Sequence, residues 1–217
     1  MDITQAKRIQ NFLRQKVEIV PLRKKISYIA GVDAAFGEDW VIGTACLFSF
    51  PNLNLLNEVW AIKKNPFPYI PGFLSFRESP VLLAALKKLE IRPDLILVDG
   101  QGIAHPRRMG IASHLGVLLD VPTIGCAKSR LVGEYEEPGQ IKGSWSPLKI
   151  DHEMVGAVLR TRDEVKPLFV SPGQKIDIED SIKIVLISTT RVRIPEPLRR
   201  ADHFSKILKK RKISMKS

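Results

Sequence analysis

Apolar residues return at helical spacing near the start of the chain, at Ala6, Ile9, Leu13 and Val17, with Lys7, Arg8, Arg14 and Lys16 mostly off that face. This predicts an amphipathic helix with a basic outer side. The period then shortens. "SYIAGVDAAF", "WVIGTACLFSF" and "LLNEVWAI" read as strands, and the turn-type links "GED" and "PNLN" between them predict an antiparallel meander. Residues 65–80, "NPFPYIPGFLSFRESP", break the pattern. Pro66, Pro68 and Pro71 each remove a backbone donor and exclude a helix interior, yet the stretch is too aromatic for a plain solvated loop. At its end, Ser79 and Pro80 predict an N-cap and a first-turn proline for the helix "PVLLAALKKLE".

The remainder alternates. "DLILVDG" and "VPTIGCAKS" are short continuous apolar runs suited to buried parallel strands, with the helical "RRMGIASHLGVLLD" between them. Residues 131–151 are rich in Gly and Pro and read as loop with short strands, followed by strands in "EMVGAVLRT" and "KPLFVSPG". "DIEDSIKIVLIST" is a helix with Asp177 as its cap, and "PLRRADHFSKILKKRK" is a last helix opened by Pro197. No repeat or linker interrupts the chain, so a single α/β domain over residues 1–217 is expected, a mixed sheet covered by helices.

Composition narrows the function. The 217 residues are 44% hydrophobic and 26% charged, enough for a substantial core. No apolar run approaches a membrane span, and the N-terminal stretch lacks a signal-type segment, so a soluble cytoplasmic protein with no membrane partner is expected. Lys and Arg total 34 against 23 Asp and Glu, a net charge of +11 that favours a polyanionic partner such as nucleic acid. The stretch 206–217, "KILKKRKISMKS", holds cations and no acid and reads as a basic tail, either solvated or a localisation signal. Cys46 and Cys126 are far apart in apolar stretches, which predicts two buried thiols and neither a disulfide framework nor a zinc site.

Four acids stand out by position. Asp33 lies inside an apolar strand, Asp99 ends another, Glu78 precedes a predicted helix start, and Asp202 lies in the last helix beside His203. An acid in a core strand is costly unless something positive satisfies it. A single such acid reads as a buried salt bridge or a backbone cap; two on neighbouring strands make a hard cation such as Mg²⁺ competitive. With a basic surface to hold a phosphate backbone, the chemistry pointed to is metal-dependent phosphodiester cleavage. After Asp99, Gly100 and Gly102 allow close approach of a backbone or base. His105 is a candidate for proton transfer or phosphate binding, Arg107 and Arg108 for phosphate contact, and Lys128 for a cation facing the scissile phosphate. Each also has a plain reading as a loop or strand-end residue, and His114, mid-helix among apolar residues, reads as structural.

"PYIPGFLSFRESP", "VDGQGIAHPRRMGIASHLGVLLDVPTIGCAKSRL" and "RIPEPLRRADHFS" resemble the signature segments of the endonuclease V family, over about residues 29–205. The resemblance implies a ribonuclease H-like fold, dependence on Mg²⁺ with Mn²⁺ as a substitute, and action on inosine in DNA or RNA. It implies hydrolysis of the second phosphodiester bond 3′ of the lesion, leaving 3′-hydroxyl and 5′-phosphate ends. By the same resemblance Asp33, Glu78, Asp99 and Asp202 are the metal-site acids, with His203 as the alternative in the last helix. Asp202 is preferred, because one step along a helix is a large rotation. Tyr69 takes the role of a wedge filling the gap left by a displaced base. Backbone groups around Gly72 and Leu74, with Gly125 and Ala127 at the "IGCA" strand end, are placed to read hypoxanthine against adenine.

Two rivals stay open at this point: a ribonuclease H-like nuclease without lesion preference, and a non-catalytic nucleic-acid-binding relative. The carboxylate set counts against the second, because binding alone needs cations rather than clustered acids. DNA is not distinguished from RNA, and a monomer is the plain expectation, since no dedicated dimer helix is evident.

Overall fold

The computed structural model describes residues 2–65 and 67–214. Pro66, one of the helix-excluding prolines, and residues 215–217 of the basic tail lie outside the described residues. The first helix, α1, is Ile3–Arg14, and the meander follows as β1 (Tyr28–Phe36), β2 (Trp40–Ser49) and β3 (Leu55–Lys64). Then come α2 (Leu74–Leu86), β4 (Leu95–Val98), α3 (Ile111–Leu119) and β5 (Thr123–Ala127). A second meander, β6 (Trp145–Ile150), β7 (Glu153–Leu159) and β8 (Leu168–Gln174), leads into α4 (Ile178–Ser188) and α5 (Glu196–Ser214).

The strands form one eight-stranded mixed sheet in the order β3-β2-β1-β4-β5-β8-β7-β6. β1, β4 and β5 run parallel at its centre, and every other pairing is antiparallel. This is the expected ribonuclease H-like α/β arrangement. Period-two alternation sorts the core into two layers. Ile29, Cys46, Leu97, Ile124 and Cys126 face α4 and α5, packing with Val185 and Leu198. Ala30, Val32, Leu47, Ile96 and Val98 face α2 and α3, packing with Val81, Leu82 and Leu115. Both thiols are buried, as expected. Among the described residues no helix is long and apolar enough to cross a membrane.

Two elements differ from the sequence expectation. In α1 the buried face is Ala6, Gln10 and Leu13; Ile9 is exposed, and Val17 lies beyond the helix end. α2 starts at Leu74 rather than at Ser79, which leaves Pro80 inside the helix and Glu78 in its second turn. The start is set by the chain reversal at Gly72, whose φ of +79° suits glycine, and by Phe67, Phe73 and Phe76 packing on one another under the loop. Residues 206–212, read both as the end of the last helix and as a basic tail, are helical as that helix reading has them, and α5 runs on to Ser214. Lys and Arg are good helix formers, Ile207 and Leu208 extend its half-buried side, and cations suit a helix C-terminus.

Candidate active site

β1 and β4 are in register from Ile29 with Leu95 to Val32 with Val98, so Asp33 and Asp99 are the next residues on adjacent parallel strands. Their backbones are therefore about 4.8 Å apart. Alternation turns both side chains toward α5, since Asp33 follows Ile29 and Asp99 follows Leu97 on that face. Lys128 continues the same face of β5 after Ile124 and Cys126, and its ammonium pairs with Asp99.

α5 is held close to these strand ends. A Cβ on Gly31 would come 2.2 Å from the backbone of Pro197, so only glycine lets the helix lie this near to β1. The Thr44 hydroxyl lies 3.2 Å from the Asp33 carbonyl and 3.0 Å from that of Ala201, and Arg200 forks onto Glu58 at 2.5 and 2.7 Å. One turn on, the Ser205 hydroxyl donates to Asp33 Oδ2 at 2.5 Å, while Asp202 meets Lys206 at 2.6 Å. The charge of Asp202 acts on Asp33, whereas that of His203 acts on Glu58. The two alternatives in the last helix thus face different neighbours, and Asp202 is the one on the side of the strand acids.

Glu78 arrives from the opposite layer. It precedes Val81, Leu82 and Ala85 on the inward face of α2, which carries it toward the ends of β1 and β4. Burial, and then the charges of Asp33 and Asp99, push its carboxyl up to about 8. Burial also raises Asp33, to about 6, with Asp99 and Asp202 adding to the rise and Ser205 opposing it. The acids named from the sequence are therefore brought together from four elements, and they repel one another. Among the described residues no three His, Cys, Asp or Glu side chains form a metal cage as they stand. Asp99 and Asp202 are engaged by Lys128 and Lys206 instead. The donor set still fits a hard divalent cation: it is all carboxylate oxygen, and its repulsion is what such an ion relieves.

Beside the acids lies a cavity of about 190 Å³ lined by Tyr69, Gly72, Leu74, Gly100 and Ala127, all named from the sequence. Its wall also includes Gln101, Met109 and Leu131, which sequence reasoning missed. Tyr69 is 68% exposed at the tip of the proline-rich loop, whose Phe67 is buried beneath it. Gly125 does not line the cavity but supports it, because a Cβ there would strike the Gly100–Gly102 backbone at 2.5 Å. A larger cleft of about 550 Å³ among Val20, Arg23, Arg92 and Pro122 lies at the amino ends of β1, β4 and β5, away from the acids.

His105, Arg107 and Arg108 are placed differently from the expectation of phosphate contact. The Gly72 carbonyl accepts from Gln10 Nε2 at 3.0 Å and Arg107 Nη2 at 2.7 Å, and His105 Nε2 lies 3.1 Å away. His105 Nδ1 accepts from the Arg107 N–H at 3.1 Å, which leaves the ring proton on Nε2 for Gly72. Burial, then Arg107, lowers this imidazole to about 4, so it is neutral. Both ring nitrogens are engaged, so the imidazole helps hold the Gly72 turn. Arg107 Nε also donates to Gln10 Oε1 at 2.5 Å, and Arg108 pairs with Glu153 at 2.7 Å. Gln10 went unrecognised, although a polar residue four after Ala6 and three before Leu13 falls on the inward face of α1.

The endonuclease V family profile matches residues 11–203. The chain is 50% identical to the endonuclease V of Dictyoglomus thermophilum over 199 residues, covering 92% of this chain and 87% of that one. The crystal structure of the Streptomyces avermitilis endonuclease V superposes with a TM-score of 0.93 at 40% identity, over 98% of this chain and 95% of the other. The endonuclease V of Ciona intestinalis, in complex with a 24mer DNA containing an inosine followed by a ribo-adenosine, superposes with a TM-score of 0.82 at 29% identity, over 96% and 98%. With likeness at this level along nearly its whole length, the chain belongs to the endonuclease V family, nucleases that hydrolyse phosphodiester bonds.

Proposed function

We propose that this nuclease recognises inosine in DNA and hydrolyses the second phosphodiester bond 3′ of it, leaving a 3′-hydroxyl and a 5′-phosphate. The observation that carries this reading is the junction of two features: acids from β1, β4, α2 and α5 converge directly beside a cavity of about 190 Å³ walled by Tyr69. The inosine-containing DNA bound by the Ciona relative supports the same substrate.

Asp33, Glu78, Asp99 and Asp202 would hold Mg²⁺, or Mn²⁺ in its place, and such an ion supplies an activated water and charge stabilisation at the attacking and leaving oxygens. The chain's own groups do the rest. Ser205 orients the Asp33 carboxylate through Oδ2. Glu78 carries a proton at neutral pH in the cation-free site and gives it up when positive charge enters. Lys128, on Asp99, has a compact charge to turn toward a phosphate oxygen. Tyr69, stiffened by the flanking Pro68 and Pro71, fills the gap left in the stack as the base enters the cavity. The Gly72 carbonyl is already saturated with donors, so hypoxanthine is read by backbone N–H groups around Gly72 and Leu74 rather than by that oxygen. His105, a candidate from the sequence for proton transfer or phosphate binding, is assigned instead to holding the Gly72 turn.

The test is cleavage of paired oligonucleotides, identical but for one inosine, with Mg²⁺ present. A nick confined to the inosine strand supports the reading. Equal cutting of both would instead indicate a nuclease without lesion preference, and binding without cutting a non-catalytic relative.

A further inference from the structure

The basic stretch that the family profile leaves out, beyond residue 203, forms the last turns of α5. α5 runs along β1 toward its carboxyl end: Pro197 lies on Gly31, Ala201 on Thr44 (the partner of Asp33), and Ser205 on the Asp33 side chain. Beyond Ser205 the helix continues in the same direction for about 10 Å to Lys212, or about three nucleotide steps along one strand. Helical geometry fixes which side chains share the direction of the site. Relative to Asp202, Lys206 is rotated by about 40° and Lys209 by about 20° the other way, whereas Arg211 points about 180° away. No acid follows Asp202 in the chain, so nothing on the helix beyond it neutralises this row.

We propose that Lys206 and Lys209 of α5 form a ridge that binds the phosphodiester backbone flanking the scissile bond. The match is one of charge and line: a straight row of cations leading away from the acids, on the side those acids face, opposite a polymer with regularly spaced anions. Lys206 side-chain exposure of 66% leaves its ammonium open to a phosphate even while it touches Asp202. The contact is with phosphate and not with bases, so the ridge adds affinity without adding lesion preference. The inference rests on the nuclease reading above.

Lys209→Gln and Arg211→Gln each remove one charge from the same helix, which makes the second a control for net charge. Binding is measured by fluorescence anisotropy without divalent ions, against inosine-containing and inosine-free duplexes, over a series of KCl concentrations, with melting curves to show that both variants fold. Lys209→Gln should weaken binding to both duplexes alike, by about threefold to tenfold at low salt, and lower the slope of log Kd against log salt by about one. Arg211→Gln should leave the slope unchanged. Equal effects of the two substitutions, or an unchanged slope for Lys209→Gln, overturns the ridge. So does a Lys209→Gln defect confined to sedimentation with phosphatidylserine vesicles. A wild-type protein that cuts without regard to inosine would sink the lesion reading while leaving the ridge standing.

Discussion

The Gln10 side-chain amide donates to the Gly72 carbonyl at 3.0 Å, joining the first helix to the turn that precedes α2. The same amide donates to Met109 at 3.3 Å and accepts from Arg107 at 2.5 Å, and Gln10 itself is fully buried. One side chain thus ties α1 to the proline-rich loop and to the segment after β4, two of the walls around the cavity.

Gln10→Leu should therefore leave Arg107 Nε and the Met109 carbonyl short of partners and loosen the cavity wall. A loss of about 1–3 kcal/mol of stability is expected from groups left unpaired in the interior. The sharper outcome is kinetic: KM for an inosine substrate rises and the preference over normal DNA falls, while kcat at saturation changes less. Urea titration and steady-state kinetics read the two effects separately. A variant that loses stability alone, with KM and preference intact, would show that the knot is only structural.

Tyr69 is expected to behave in the opposite way. At 68% exposure it contributes little packing, so Tyr69→Ala should melt within a degree or two of the parent. Its inosine preference should drop, with cutting of normal DNA unaffected. Unchanged preference in that variant would remove the wedge role.

Glu78 ties pH to stability. Burial and its acidic neighbours hold its carboxyl at about 8. A carboxyl raised above its unfolded value binds its proton more tightly in the native state, so the cation-free protein gains no penalty below the unfolded value. It loses stability as pH climbs from there through about 8. Glu78→Gln removes that penalty: at pH above 8 in chelator, Tm should rise by about 2–4 °C, the change that about 1 kcal/mol makes in a chain of this size, although cleavage is lost. A lower Tm for the variant under those conditions would contradict the crowded-acid picture.

The same crowding links cation binding to protons. Asp33 near 6 and Glu78 near 8 hold protons that positive charge displaces. Mg²⁺ should bind more tightly as pH rises from 6 to 8, with net proton release. Calorimetry in two buffers of different ionisation heat measures that release directly, and Asp99→Ala should abolish both the heat and the cleavage. Cation affinity independent of pH across that range would count against these acids as the ligands.

What the sequence revealed, and what it hid, follows from the range of the interactions. Strands β1, β4 and β5 were legible because apolar runs and turns are local signals, and Asp33 and Asp99 stood out as acids inside them. Ser79 and Pro80 resemble a helix start, but α2 begins earlier, since the aromatic packing of Phe67, Phe73 and Phe76 and the turn at Gly72 are tertiary. His105 and Arg107 look like phosphate ligands in a loop sequence; only the closure of residues 10, 72 and 105–109 in space shows that they serve one carbonyl oxygen. The last helix was legible through Lys212, and α5 continues to Ser214; a run of cations has no apolar period, so the sequence did not show what its basic turns face.

The most direct measurement is the position of the cut. A duplex with a single inosine, end-labelled on that strand and incubated with the protein and Mg²⁺, should give one nick at the second phosphodiester bond 3′ of inosine. The fragment should carry a ligatable 5′-phosphate. Cuts scattered along the strand, or none within reach of the inosine, would contradict the account.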